Sequence, residues 1–196
     1  MVIDALATAV AAAPSRWIAR FAPLIAPGAP VLDLACGTGR HARLLAGAGH
    51  PVVAVDRDAA ALGALAGVAG VETVEADLEA GPWPLGGRTF GGVVVTNYLH
   101  RPRLPAVLAA LRDDGVLLYE TFATGNEAYG RPSNPDFLLR VDELLALAAG
   151  RLTVVAFEQG LVRPDDATAA PAAARVVQRI AAVGARRAWP LPLPAA

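Results

Sequence analysis

Short runs rich in Val and Leu alternate along this chain with Ala-rich stretches of helical character. That alternation constrains the fold more than any other feature. A strand buried on both faces reads as a continuous apolar run, and such strands belong to parallel sheets covered by helices. Strands are expected at 31–35, 52–56, 71–76, 92–96, 116–121, 152–159 and 175–183. Helices are expected at 39–48, 58–66, 103–111 and 141–149, with an opening helix at 15–25 before the turn at 27–30. The sixth and seventh strands are joined only by 164–171, which carries two prolines and no helical period. Such a linker connects antiparallel strands. The expected fold class is α/β: a Rossmann-like, seven-stranded, mostly parallel sheet closed by an antiparallel strand 6–7 hairpin, with helices on both faces. Residues 1–30 read as an N-terminal helical segment, 31–185 as the sheet domain and 186–196 as a Pro-rich tail.

Composition narrows the function classes. Of 196 residues, 55% are apolar and 18% charged, enough apolar surface for one sizeable core. The single cysteine, Cys36, excludes a disulfide framework and a cysteine-cluster metal site, so no metal is expected. No apolar run reaches the ~18 residues of a spanning helix, and Asp4 near the start with Arg16 and Arg20 later reverses the signal-peptide pattern. A soluble, cytoplasmic protein without membrane partners is expected, either a monomer or a homodimer. Seventeen basic residues, all Arg, face 18 acidic ones, for a net charge of −1. That balance disfavours nucleic acid as a partner, because phosphate contacts call for a basic surplus or stripe. A small-molecule substrate fits better. The 44 alanines and absent lysines read as nucleotide-composition bias.

The most informative segment is Val31-Leu32-Asp33-Leu34-Ala35-Cys36-Gly37-Thr38-Gly39-Arg40-His41. A strand ends in small residues, then a helix begins, which lets a ligand approach backbone N–H groups at the turn. The second strand ends at Asp56, where a carboxylate can accept both hydroxyls of a ribose. The third ends in Glu75-Ala76-Asp77-Leu78, where Asp77 can accept an adenine amino group. Ligands of open α/β sheets bind at this edge. Gly37-x-Gly39-x-x-Ala42 followed by Asp56 also fits a nicotinamide dinucleotide fingerprint. Against that reading stand Asp33, which interrupts the apolar strand, and the closing hairpin.

Asp33-x-Ala35-x-Gly37-x-Gly39 resembles motif I of the class I S-adenosylmethionine-dependent methyltransferases, with Ala35 where the family usually has Gly. Asp33-Leu34-Ala35-Cys36-Gly37-Thr38-Gly39-Arg40, Tyr98-Leu99-His100-Arg101-Pro102 and Tyr119-Glu120-Thr121-Phe122 with Gly130-Arg131-Pro132 are similar to the small tellurite-resistance (TehB-like) members. The resemblance covers residues 15–183 and makes 31–185 the methyltransferase domain. It implies S-adenosyl-L-methionine as cofactor, held by Asp33, Ala35, Cys36, Gly37, Thr38 and Gly39 in the loop. Asp56 and Arg57 would follow at the ribose, Asp77 and Leu78 at the adenine, and Asn97 and Tyr98 beside the methionine part. The Asn-Pro-Pro-Tyr motif of amide and DNA amino methyltransferases is absent, since Asn97 precedes Tyr98-Leu99-His100.

Beyond the cofactor, His100 and Glu120 are the candidate catalytic bases, because both follow or end strands at the ligand edge. Arg101, Asn126, Tyr129 and Arg131 are the candidate substrate contacts, the last three in the 13-residue loop 124–136. Arg40 and His41 either lie over the ligand's carboxylate or face solvent, Trp17 reads as core rather than as a lid over the cofactor with Arg16, and Cys36 as a small packed residue rather than a nucleophile. The expected reaction is in-line displacement of a sulfonium methyl to a small acceptor, anionic or chalcogen-containing. An RNA-modifying methyltransferase, an NAD(P)-binding oxidoreductase and a non-catalytic cofactor-binding subunit are the alternatives.

Overall fold

The computed structural model describes residues 13–163 and 174–194. Seven strands form one sheet: β1 (Val31–Leu34), β2 (Val52–Asp56), β3 (Val71–Glu75), β4 (Phe90–Thr96), β5 (Leu111–Phe122), β6 (Leu152–Val162) and β7 (Arg175–Gly184). Their spatial order is β3-β2-β1-β4-β5-β7-β6. The first five are parallel, and β7 runs antiparallel between β5 and β6. The expected sheet and closing hairpin are therefore present, while the linker 164–171 lies outside the described residues. This order also separates the chain from an all-parallel dinucleotide-binding sheet.

Among the described residues, five α-helices flank the sheet: α1 (Arg16–Phe21), α2 (Arg40–Gly47), α3 (Ala59–Gly63), α4 (Leu104–Ala109) and α5 (Glu143–Ala148). Each is shorter than its sequence pattern suggests, for local reasons. Pro23 converts the end of the opening helix to a 3-10 turn at Ala22–Leu24, and Pro102 does the same for Arg101–Arg103 ahead of α4. Strand β5 is longer than expected, because Leu111 pairs with Phe90 across a register shift and carries the exposed Arg112, Asp113 and Asp114 with it. A polar triplet hides that extension from any reading of apolar runs.

Two apolar layers sandwich the sheet. Leu32, Leu34, Val93, Val95, Leu117 and Tyr119 pack on one face, against Val107 of α4 and Leu144 of α5. Val31, Val94, Val116 and Leu118 pack on the other, against Trp17, Ile18 and Phe21 of α1 and Leu45 of α2. The opening helix thus shares the core of the sheet. At the other end, Arg187 donates to the carbonyl of Leu24 at 2.6 Å, and Leu191 lies against the same layer.

Candidate functional site

A cavity of about 420 Å³ opens at the carboxyl ends of β1, β2, β3 and β4. The topology places it there, since β1 and β4 are neighbours although β2 and β3 lie between them in sequence. Its first wall is Ala35, Cys36, Gly37 and Thr38, the turn between β1 and α2, with Arg40 above. Ala35 (φ +53°), Gly37 (φ +54°) and Gly39 (φ +77°) are all left-handed, which lets the chain reverse within a few residues. Ala35 holds a conformation that favours glycine.

The second wall comes from β2 and β3. Asp56 accepts the Gly37 N–H through Oδ2 at 2.7 Å and the Asp58 N–H through Oδ1 at 3.0 Å. Each oxygen keeps a lone pair for a hydroxyl. Exposed Arg57 follows on the same wall. Asp77 takes the Glu79 N–H on Oδ1 at 2.8 Å, and among the described residues its Oδ2 is uncommitted. Ala76 and Leu78 supply apolar surface beside it. Arg103 holds this stretch in place by donating to the carbonyls of Leu78, Ala80 and Gly81.

Thr96, Asn97 and Tyr98 complete the cavity after β4. Asn97 is also left-handed (φ +53°), and its N–H donates to the Glu120 carbonyl at 3.0 Å. The buried Tyr119 hydroxyl donates to the Tyr98 carbonyl at 2.8 Å, so β5 fixes this corner. Burial pushes the Tyr98 phenol up to about 12, and its hydroxyl has no hydrogen-bond partner among the described residues.

Two residues expected at the cofactor, Asp33 of β1 and Gly39 of the turn, lie outside the cavity lining. Asp33 is fully buried, and neither of its oxygens has a hydrogen-bond partner among the described residues. Burial raises its pKa to about 7, a rise that the nearby Arg40 charge only partly opposes. Gly39 also stays out of the cavity lining; a Cβ there would collide with the Leu65 side chain, so its glycine serves helix packing. Cys36 does line the cavity, but burial raises its thiol to about 12 and the S–H points to the Gly37 carbonyl at 3.5 Å. A protonated thiol is a packing group and no nucleophile.

The residues expected beyond the cofactor are dispersed. Arg101 spends four hydrogen bonds inside the protein: two on Glu143 at 2.8 and 2.9 Å, and one each on the carbonyls of Asp136 and Leu138 at 2.8 Å. It clasps α5 to the loop before it. Asn126 is 1% exposed; its Nδ2 donates to the Pro132 carbonyl and its Oδ1 accepts the Val176 N–H, tying loop 124–136 to β7. Tyr129 and Arg131 are exposed on that loop, away from the cavity lining. His100 is half-buried after Tyr98, outside the lining, with Nδ1 unpaired among the described residues.

Glu120 is buried, with Oε2 accepting the Ser15 hydroxyl at 3.0 Å. Guanidinium groups of Arg175 and Arg179 stand 3.8 and 3.7 Å from its oxygens. Thr96, Glu120, Arg179 and Glu158 are register partners across β4, β5, β7 and β6, so they share one face of the sheet. On that face α1 lies over Arg179, whose guanidinium is 5.0 Å from the Trp17 ring. His41 joins the same group from α2. It is 1% exposed, with Nε2 accepting the Ser15 N–H at 3.0 Å and Nδ1 3.4 Å from the Thr96 hydroxyl. Burial lowers its pKa to about 4. Sequence reasoning offered neither of its two settings for His41, ligand contact or solvent, as a buried one, and it passed over Ser15 and Thr96.

Residues 31–114 match a family model described as a methyltransferase domain. Among solved structures, TehB from Haemophilus influenzae superposes with a TM-score of 0.64 at 18% identity, covering 83% of this chain and 59% of that one. A TehB-like SAM-dependent methyltransferase from Corynebacterium glutamicum gives 0.59 at 20% identity, covering 86% and 87%. Coclaurine N-methyltransferase bound to N-methylheliamine and S-adenosylhomocysteine gives 0.58 at 17% identity, covering 74% and 49%. No curated protein sequence matches the chain. The likeness to these solved structures is one of fold. Residues 31–114 resemble a methyltransferase domain, and the chain spans less than two thirds of the length of the TehB structure it matches.

Proposed function

We propose that the chain transfers the methyl group of S-adenosylmethionine to a small-molecule acceptor, anionic or chalcogen-containing, and that the cavity after β1–β4 holds the cofactor. The observation that carries this reading is the convergence of Asp56, Asp77 and the left-handed 35–39 turn on one cavity. The cavity's volume of about 420 Å³ lies within the range of small-ligand sites. Its residues fit the group. The spare lone pairs of Asp56 suit the ribose hydroxyls, and the free Oδ2 of Asp77 suits the adenine amino group. Ala76 and Leu78 flank the ring, while Arg40 and the backbone at Gly37 and Thr38 suit the amino-acid end.

The cofactor supplies a methyl group already activated by its sulfonium charge. What the chain supplies is position, because holding an acceptor in line with that methyl contributes several kcal/mol by proximity alone. Tyr98 and Asn97 form the wall where an acceptor enters, fixed by Tyr119 and the Glu120 carbonyl. Arg131, exposed on loop 124–136, is assigned to orient an anionic acceptor in place of Arg101, which is committed to Glu143 and two carbonyls. His100, with Nδ1 uncommitted among the described residues, is the base for an acceptor that must lose a proton. Glu120 instead organises Ser15 and two arginines. A soft anion, such as a chalcogen oxyanion or a thiolate, needs no base.

The test is transfer of label from methyl-tritiated S-adenosylmethionine, with thiols, selenite and tellurite offered beside amines and total RNA. Label in a small organic product supports the reading, and label confined to RNA contradicts the choice of acceptor. Wild-type turnover by Arg131→Ala contradicts the role given to Arg131.

A further inference from the structure

The tautomer of His41 follows from its neighbours. The Ser15 N–H points at Nε2, so that nitrogen must be the acceptor. In a neutral imidazole the proton then sits on Nδ1, where it faces Thr96 Oγ1 at 3.4 Å. Thr96 therefore accepts from His41, and its own O–H must point elsewhere. Among the described residues that hydrogen has no other acceptor. Thr96 is the only polar side chain in β4, and it lines the cavity together with Cys36 and Asn97. Ser15 is fixed in turn, its hydroxyl donating to Glu120 while accepting the Trp17 N–H at 3.2 Å.

We propose that Thr96 is a ligand-binding residue of the cavity and that His41, held by Ser15, is the positioning residue that aims the Thr96 hydroxyl at the bound molecule. The ligand group it serves is a lone-pair acceptor, an oxygen, at the β4 end of the cavity. The proposal rests on the cofactor assignment, because the molecule that supplies this oxygen is the adenosylmethionine cofactor or its product. Removal of the hydroxyl then weakens binding, and removal of the imidazole does so only while the hydroxyl is present. The Ser15 bond places one further element, the start of α1, behind the same group.

Two measurements test this. In the uniformly 15N-labelled chain, long-range imidazole spectra are expected to show His41 as the Nδ1–H tautomer, assigned by its disappearance in His41→Phe. An Nε2–H tautomer would overturn the proposal. Calorimetric titration with S-adenosylhomocysteine then compares variants. Thr96→Val is expected to bind about five- to tenfold more weakly, the effect of one lost hydrogen bond, and Thr96→Ser to restore affinity. His41→Phe is expected to weaken binding similarly, with no further loss in the double variant. Should His41→Phe fail to fold, the near-isosteric Thr96→Val and Thr96→Ser pair still decides. Wild-type affinity in Thr96→Val overturns the proposal alone. Absence of binding by the wild-type chain overturns the cofactor assignment and the proposal with it.

Discussion

The Gly37 amide donates to Asp56 Oδ2 at 2.7 Å, so the acid that ends β2 holds the turn that follows β1. One carboxylate thereby shapes two walls of the cavity before any ligand arrives. Asp56→Ala is expected to lose this bond and the one from the Asp58 N–H, at a cost of about 1–3 kcal/mol. S-adenosylhomocysteine affinity should fall about tenfold or more with it, since each 1.4 kcal/mol is a factor of about ten. Urea unfolding and calorimetry on one sample read both numbers. A stable variant with unchanged affinity would show that the turn needs no such anchor.

Ala35 at φ +53° predicts a gain from substitution. Glycine adopts this backbone without the Cβ clash that an L-residue suffers. Ala35→Gly should therefore raise stability by about 0.5–1 kcal/mol, against the usual direction of Ala→Gly changes. A shift of the urea midpoint to lower concentration at constant slope would contradict it.

Much of the cavity was legible in the sequence because it depends on strand ends. Once β1, β2, β3 and β4 are placed in a parallel sheet, Asp56, Asp77 and Asn97 arrive at one edge whatever their side chains do. The polar group around Glu120 was not legible, for the opposite reason. The partners of His41 lie 26 and 55 positions away, at Ser15 and Thr96, and only packing of α1 and α2 on one sheet face joins them. Arg101 failed in the same way. An arginine after β4 suggests an anion clamp, but its partners at Asp136, Leu138 and Glu143 come 35 to 42 positions later. Alternating apolar runs also hid the start of β5, where Arg112, Asp113 and Asp114 belong to the strand.

The clasp made by Arg101 gives a prediction that separates structure from substrate binding. Arg101→Ala removes a bidentate pair with Glu143 and two bonds to carbonyls, all partly exposed, and should cost about 1–3 kcal/mol. Affinity for S-adenosylhomocysteine should change less than about twofold, well under the effect of one lost ligand hydrogen bond. A large loss of affinity without loss of stability would return Arg101 to the site.

Asp33 and His41 set opposing pH dependences. Asp33 releases its proton near 3.8 when unfolded and near 7 when folded, so it favours the fold fully below 3.8 and loses that contribution as pH rises toward 7. His41 protonates near 6.5 when unfolded and near 4 when folded, so its contribution is full above 6.5 and is lost as pH falls toward 4. The two slopes nearly cancel between about pH 4 and 6.5. In Asp33→Asn the Asp33 slope is gone, and stability relative to wild type should rise by roughly 3 kcal/mol from pH 4 to 7. In His41→Gln the difference should run the other way, falling by roughly 3 kcal/mol over the same span. Urea unfolding at half-unit pH steps reads both. Parallel curves for wild type and variants would contradict the buried assignments.

The central claim is that the cavity bounded by Gly37, Asp56, Asp77 and Asn97 takes S-adenosylmethionine. Its most direct test is calorimetric titration of the purified chain with S-adenosylmethionine, S-adenosylhomocysteine and NADH in parallel. Saturable one-to-one binding of the first two, with no heat from NADH, is the predicted result. Binding of NADH alone would contradict it, and the acceptor argument would fall with it.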